Sequence, residues 1–413
     1  MPGWICCQLG AREHYAIPRA LAAQGVLDRL ITDVWVSPRS LIGRMIRDQR
    51  SEISGRFHQD LSQAPVTEFS SSLVQFELIA RLRRRHGWDR TIARNKWFQR
   101  KAVGALSSSQ PSTFNSQPIL FCYSYAALDL LRYAKQRGWR TVLGQIDPGP
   151  VEEQIVSEEV RREPEMGAGW EPVPLAYWNQ WREECALADR IVVNSQWSRS
   201  CLVEAGVNGS KLFVIPLAYE SSEVRGQRSK VRRERQYPDR FGEQRPLRVL
   251  FLGQINLRKG VARLLKAIQL LENEPIEFQF VGPVQISIPD NLRNHPRLRR
   301  FGAVSRDDVD VFYRSADVLI FPTLSDGFGI TQLEAQARSL PIIASRFCGE
   351  VVEDGVNGIV LDELSPNAIS AALRSCLREP ARLRTFAANA VRADRFNLKV
   401  MAENLLRLFG SAV

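Results

Sequence analysis

FPTLSDGFGITQLE, residues 321–334, sets two glycines between an apolar run and a segment with helical spacing. Val318–Phe321 is short, apolar and bounded by turn residues, which predicts a buried strand. The spacing predicts a helix from about Thr331 to Ala337. Gly327 and Gly329 let a ligand approach the main chain. Unpaired N–H groups at a helix start favour an anion, so the loop is expected to accept a diphosphate. Glu334 falls about one to two turns into the helix, in reach of a polyol such as ribose. Amides for phosphates and an acid for a pentose suit a nucleotide-sugar better than a bare metabolite.

The same grammar extends to both sides of this stretch. Arg248–Leu252 predicts a strand, Gly253–Gly260 a loop and Val261–Leu271 a helix. Ile276–Val281, Leu298–Phe301, Ile342–Ser345 and Gly358–Leu361 read as further strands, with helices expected over Arg306–Ser315 and Pro366–Leu377. Toward the amino terminus, strands are expected at Trp4–Leu9, Leu30–Val36, Ile119–Cys122, Thr141–Gln145, Arg190–Asn194 and Lys211–Ile215, separated by helical segments such as the acidic Val151–Arg162. Strands alternating with helices specify a parallel sheet covered on both faces.

A chain of 413 residues exceeds what one core usually supports. Residues 223–246 are crowded with Arg, Lys, Gln and Gly and contain Pro238 and Pro246, the composition of a linker. The expected fold is α/β, with two Rossmann-like doubly wound domains facing a cleft. Residues 1–222 are expected to form the first domain and 223–246 the linker. Residues 247–390 form the nucleotide-sugar domain, and a helix in 391–413 is expected to pack back on the first domain. Strand carboxyl ends should face the cleft.

The formal charge is +11, with arginines at Arg39, Arg44, Arg47 and Arg50 and in the run Arg81-Leu82-Arg83-Arg84-Arg85. Trp88, Trp97 and Phe98 stand near the second group. Arginines among large apolar rings suit an anionic membrane surface, although a plain solvated face is equally open. No nucleic-acid motif accompanies the charge, so nucleic acid is not an expected partner. Seven cysteines without regular spacing point to buried side chains in a reducing compartment. No Cys/His cluster supports a metal. The opening MPGWICCQLG lacks the layout of a secretory signal, and no window matches a spanning helix. The expected location is the cytoplasm, free or peripheral on the inner face of the membrane.

Five loops carry candidate chemistry. Arg258 and Lys259, in the loop Gly253–Gly260, stand where a pyrophosphate needs fixed positive charge. A solvated helix start is the alternative, but cations there oppose the helix dipole. Asp326 can meet sugar hydroxyls, or serve only as a turn residue. In the first domain, Gly10 permits close ligand approach, with Arg12 and His14 as polar groups beside it. Asp147 ends a strand within Gln145-Ile-Asp-Pro-Gly149, and Asn194-Ser195 follows another. Each of these has a purely structural alternative.

FLGQINLRKG, FVGP, SADVLIFPTLSDGFGITQLEAQA, PIIAS..CGE and VEDGVNGIV together resemble retaining glycosyltransferases of GT-B architecture, the group 1 family of glycogen synthase-like and mannosyltransferase members. The resemblance spans roughly residues 245–365 and extends more weakly to ADRIVVNSQWSR. It implies that Lys259, assisted by Arg258, binds the donor diphosphate and that Asp326 contacts the transferred hexose. Phe328, Gly329 and Ile330 would offer backbone N–H groups, and Glu334 would hold the ribose. It further implies a UDP-, GDP- or ADP-sugar donor, retention and no essential metal or cofactor. The leaving diphosphate would help deprotonate a saccharide or lipid-linked acceptor in polysaccharide or glycolipid biosynthesis. The chain departs from the pattern at Gln254, where Arg is usual, and at Asp326, where Glu is usual. Phe121–Tyr125 stands where a His is often found, with Ser124 or Tyr125 as substitutes. The alternatives are a nucleotide-sugar epimerase, a phosphorylase, or a catalytically silent nucleotide-sugar-binding protein of the same fold.

Overall fold

The computed structural model describes residues 2–36, 56–108, 117–220, 235–305, 308–390 and 395–410, and its strands pair in parallel within two sheets. The first contains β1 (Trp4–Gln8), β2 (Leu27–Thr32), β3 (Val66–Glu68), β4 (Ile119–Tyr123), β5 (Arg140–Gly144), β6 (Arg190–Val193) and β7 (Leu212–Val214), in the order β3-β2-β1-β4-β5-β6-β7. The second contains β8 (Leu247–Leu252), β9 (Ile276–Val281), β10 (Leu298–Gly302), β11 (Val318–Phe321), β12 (Ile342–Ser345) and β13 (Gly358–Leu361), in the order β10-β9-β8-β11-β12-β13. Both orders reverse beside their first strand, between β1 and β4 and between β8 and β11. Loops leaving the strands at such switch points diverge and open a crevice for ligand.

Central strands are apolar throughout because helices cover both faces. WICCQ in β1, ILFCY in β4 and VLIF in β11 are buried at every position. Alternate residues of β1 feed opposite cores: Ile5 and Cys7 pack with Leu120 and Trp181, whereas Trp4 and Cys6 pack with Leu21 and Phe121. Met401, Ala402 and Leu405 of the helix Leu398–Arg407 pack into that second core. All seven cysteines are buried and free.

Most elements fall within a residue or two of the sequence-based expectation, with two informative differences. The strand expected at Leu30–Val36 runs instead over Leu27–Thr32. It stops at Asp33, whose buried carboxylate accepts from the Gly10 N–H at 2.9 Å and pairs with Arg56 at 3.3 Å and Arg94 at 2.9 Å. A buried anion requires such partners, and a continuing strand would turn it away from them. The edge strand β3, three residues long and never fully buried, carries no periodic signal that a sequence reading could detect.

Arg39, Arg44, Arg47 and Arg50, and residues 223–234 of the expected linker, lie outside the described residues. Residues 235–246 lie against the second domain. Arg245 grips Asp317 through both guanidinium nitrogens at 2.7 and 2.6 Å, and Arg235 donates to the Arg338 carbonyl at 2.9 Å.

The two domains meet along an ionic seam. Arg263, in the helix Val261–Leu270, donates to Glu159 of the helix Pro150–Arg162 at 3.0 and 2.7 Å, and Lys266 pairs with Glu163. Closer to the cleft, Trp197 Nε1 donates to Ser325 Oγ at 3.1 Å and Ser198 Oγ donates to the Gly327 carbonyl at 3.2 Å.

Candidate active site

The loops after β8 and β11 touch. Gly260 has φ +69°, and a Cβ there would fall 1.8 Å from the Pro322 carbonyl oxygen, so only glycine lets these loops meet. The Leu324 N–H then donates to the Arg258 carbonyl at 2.8 Å, and Thr323 Oγ1 donates to the same oxygen at 3.2 Å. This backbone tie holds Arg258 and Lys259 over the DGFG segment.

Lys259 Nζ forms an ion pair with Asp326 and lies 5.0 Å from the centre of the Phe321 ring. The Arg258 guanidinium stands 3.7 Å from Asp326 and 3.7 Å from Glu152 of the first domain. The Phe328 N–H donates to Asp326 at 3.2 Å. Burial alone would raise the Asp326 carboxyl, but the Lys259 and Arg258 charges outweigh it and hold the group below its usual range. Glu152 responds in the opposite direction. Burial, with the charges of Asp147 and Asp326 adding to it, pushes its carboxyl up to about 8 despite Arg258. Two cations thus face the ionised Asp326 and a Glu152 carboxyl that burial pushes toward its neutral form.

Glu334 lies one turn into the helix Ile330–Gln336, whose N-cap is Gly329. It accepts from Tyr313 Oη at 2.7 Å, which orients its carboxylate. The Tyr313 phenol is pushed up by burial and by the adjacent Glu334 charge, so it remains a donor.

Across the cleft, Asp147 accepts from Tyr125 Oη, from Gln145 Nε2 at 2.9 Å and from the Gly149 N–H at 2.9 Å. A Cβ at Gly327 would meet the Ile146 carbonyl oxygen at 2.3 Å, so the DGFG segment and the Asp147 loop are in contact. Gly10, Arg12 and His14 form a second group at the carboxyl end of β1. Gly10 has φ +87°, and the Arg12 guanidinium lies 5.7 Å from the Tyr123 ring centre. Glu13, His14 and Tyr15 occupy three successive left-handed backbone conformations, with φ of 51°, 53° and 60°. Such strain in non-glycine residues clusters at ligand sites. Burial pushes the Glu13 carboxyl up to about 7, with Arg12 opposing.

The structure therefore gathers Arg258, Lys259, Asp326 and Phe328 into one cluster, with Asp147 adjoining it and Glu334 held separately by Tyr313. Ser195 caps the helix Gln196–Glu204 by accepting from the Ser198 N–H at 3.0 Å. Sequence reasoning overlooked Glu152. Its only signal was a place in the first turn of an acidic helix, where a carboxylate ordinarily just complements the dipole. Among the described residues, no group of three or more His, Cys, Asp or Glu is arranged to hold a metal ion, and no helix is long and apolar enough to cross a membrane.

The family model for glycosyl transferases group 1 matches residues 234–393, the segment that carries Arg258, Lys259, Asp326 and Glu334. This domain belongs to the group 1 glycosyl transferases. The chain is 28% identical over 255 residues to a D-inositol 3-phosphate glycosyltransferase of Kineococcus radiotolerans, covering 55% of this chain and 58% of the relative. It is 25% identical over 183 residues to a 41.2 kDa protein of the cps region of Klebsiella pneumoniae, covering 44% of this chain and 50% of the relative. The chain thus spans little more than half the length of these curated relatives. Among solved structures, Anabaena HepE in complex with UDP and glucose superposes with a TM-score of 0.59 at 15% identity, covering 99% of this chain and all of that one. WaaG, a glycosyltransferase involved in lipopolysaccharide biosynthesis, gives a TM-score of 0.55 at 17% identity, covering 99% and 100%. The group 1 domain and its partner domain therefore form a GT-B fold.

Proposed function

We propose that the protein transfers a hexose from a UDP-, GDP- or ADP-sugar to a hydroxyl acceptor with retention of configuration. The observation that carries this reading is the convergence of Lys259 and Arg258 on Asp326, where the loops after β8 and β11 meet. The two cations receive the diphosphate, Asp326 turns to the sugar, and Glu334 takes the ribose. During transfer the bond between sugar C1 and the diphosphate oxygen breaks, and its electron pair stays on the phosphate. The acceptor hydroxyl oxygen bonds to C1 on the same face, and its proton passes to the departing phosphate oxygen. Cations positioned in advance stabilise the negative charge that develops there, with no metal ion or cofactor required by the reading. The relatives' printed activities, and the UDP and glucose bound by HepE, support a nucleotide-sugar donor.

Thermal-shift titration against UDP-, GDP-, ADP- and dTDP-sugars tests the donor, followed by transfer of labelled sugar. One donor at a hundredfold excess over its Kd is expected to stabilise the protein by about 2.7 kcal/mol. Unchanged affinity and turnover after Lys259→Ala with Glu334→Ala would overturn the reading. Binding without transfer or hydrolysis would favour the silent binder, a reading prompted by Gln254, which is exposed and accepts from Asn256 at 3.3 Å.

The proposal extends to a cytoplasmic location and to reversible docking on an anionic membrane during polysaccharide or glycolipid synthesis. Val74, Leu78 and Leu82 form a stripe along the helix Ser70–Leu82 and are 61%, 54% and 84% exposed. Arg81, Arg83 and Arg84 are exposed beside them. Apolar insertion and attraction to acidic headgroups act together on such a face. Co-sedimentation should be stronger with phosphatidylglycerol vesicles than with phosphatidylcholine vesicles; equal binding removes this extension.

A further inference from the structure

Beside the cationic cluster, a cavity of about 560 Å³ opens between the helix Pro150–Arg162, the segment that follows it, and the loop after β8. The donor reading makes no use of it except through Arg258. Its volume is that of a small-molecule site, which typically spans about 300–1,000 Å³. Trp88, Trp170, Tyr177 and Trp178 supply aromatic surface. Tyr125 stacks on Tyr177 with ring centres 4.8 Å apart at 21°, and Trp88 meets Tyr177 edge-on at 5.2 Å. Sugars carry a face of C–H groups that packs on such rings, while their hydroxyls seek fixed polar partners at the edge.

The charge of the lining is one-sided. Asp147, Glu153 and Glu171, together with Glu152, whose carboxyl burial pushes toward its neutral form, line the cavity against a single cation, Arg258, which already faces the donor side. An anionic ligand would meet like charge at close range, and uncompensated like charges disfavour a partner strongly. Most of these carboxylates are occupied. Glu153 accepts from the Val173 N–H and from Trp178 Nε1, and Asp147 accepts from Tyr125, Gln145 and Gly149. Glu152 differs: its Oε2 is buried with no hydrogen-bond partner, the nearby Arg258 nitrogen being 3.7 Å away. A buried, unpartnered oxygen in a polar cavity calls for a ligand group to complete it.

We infer that this cavity is the acceptor subsite, that it takes an uncharged glycosyl unit stacked on the aromatic wall, and that Glu152 selects it by hydrogen-bonding an acceptor hydroxyl. The inference rests on the transferase reading above, yet acceptor binding can be measured apart from donor chemistry. The probes are the methyl glycosides of glucose, galactose and mannose with their 6-phosphates and uronates. Their affinities are measured on the full chain by saturation-transfer NMR, with and without UDP. At least one neutral glycoside is expected to bind on the order of tenfold more tightly than its phosphate and uronate. Glu152→Ala should weaken that neutral ligand by about tenfold, while Glu152→Gln, which keeps a hydrogen-bonding group, should restore most of the affinity. Glu171→Lys changes an exposed residue and should narrow the gap between neutral and phosphorylated ligands. Octyl glycosides binding more tightly than methyl glycosides would identify a lipid-borne head as the source; equal binding would identify a free saccharide.

Failure of all neutral glycosides to bind overturns the inference, as does tighter binding of the phosphates or an unchanged affinity in Glu152→Ala. A protein that binds UDP-sugar but none of these glycosides would retain the transferase reading and lose this one. Glycoside binding without any nucleotide-sugar binding would overturn the transferase reading and, with it, the assignment of the cavity as an acceptor subsite.

Discussion

The second-domain wall of the cleft presents Lys259 and Arg258, whereas the first-domain wall presents Asp147, Glu152, Glu153 and Glu171 among aromatic rings. The two walls meet at the 3.7 Å approach of Arg258 to Glu152. On the proposed reading, one crevice would sort two substrates by sign of charge before shape is tested, drawing a diphosphate to the cationic side and tolerating an uncharged saccharide on the acidic side. The contrast also separates two kinds of charge. Asp326 stays ionised because Lys259 and Arg258 compensate its charge, while Glu152 is pushed toward neutrality because burial outweighs its single cation.

The sharpest way to break this comparison is Lys259→Ala. Removing a preorganised cation at the developing phosphate charge should lower turnover of labelled donor by about a hundred- to a thousandfold. Turnover within a few-fold of the parent would mean that the cationic wall is not where the leaving group departs.

The seam between the domains comes next. Glu159 is almost wholly buried, with a side chain 3% exposed, and its carboxylate oxygens accept from Arg263. Arg263→Ala leaves that charge with the more distant Arg162, 3.8 Å away, and should cost about 3 kcal/mol of stability, read as a fall in denaturation midpoint. The double variant with Glu159→Gln should recover much of the loss. If the single variant matches the parent, the seam contributes nothing and the walls are held together by other contacts.

Gly327→Ala probes the approach of the walls themselves. The added Cβ meets a backbone oxygen at Ile146, which cannot rotate away as a side-chain tip would. Transfer should fall about 10- to 100-fold while nucleotide affinity is retained, because reacting groups displaced by an ångström lose alignment. Loss of nucleotide binding as well would place the damage in the donor site instead.

The smallest effect concerns pH. The Glu152 carboxyl, ordinarily near 4.5, is raised to about 8 in the folded protein. Its neutral form therefore contributes stability that is fully present below about pH 4.5 and lost as pH rises through about 8. Glu152→Gln removes that dependence, so the melting temperature of the variant relative to the parent should climb from about pH 5 to about pH 9. A flat difference would show that Glu152 is ionised throughout and that the acidic wall is more strongly charged than described.

Much of the scaffold was legible because a buried parallel strand and its covering helix leave local marks. VLIF and ILFCY are continuous apolar runs, and Ser365 before Pro366 marks a helix start that the structure places at Pro366. The second-domain cluster was legible for a related reason. Arg258 and Lys259 lie in one loop and Asp326 in another, each directly after a strand whose partner could be anticipated. β3 escaped notice because an edge strand has only one neighbour and little apolar face. Glu152 escaped because nothing local distinguishes a carboxylate that complements a helix dipole from one pressed against an arginine of the opposite domain.

The sequence by itself determined two α/β domains, their strand-following loops and the residue types available at the loop tips. These follow from periodicity and glycine placement within about a dozen neighbouring positions. Only the tertiary structure decided which loop tips face each other, that Arg258 is shared between Asp326 and Glu152, and that the first-domain wall is aromatic and acidic. Trp88, Glu152 and Arg258 are far apart along the chain, and their joint electrostatics exist only once the two domains pack together.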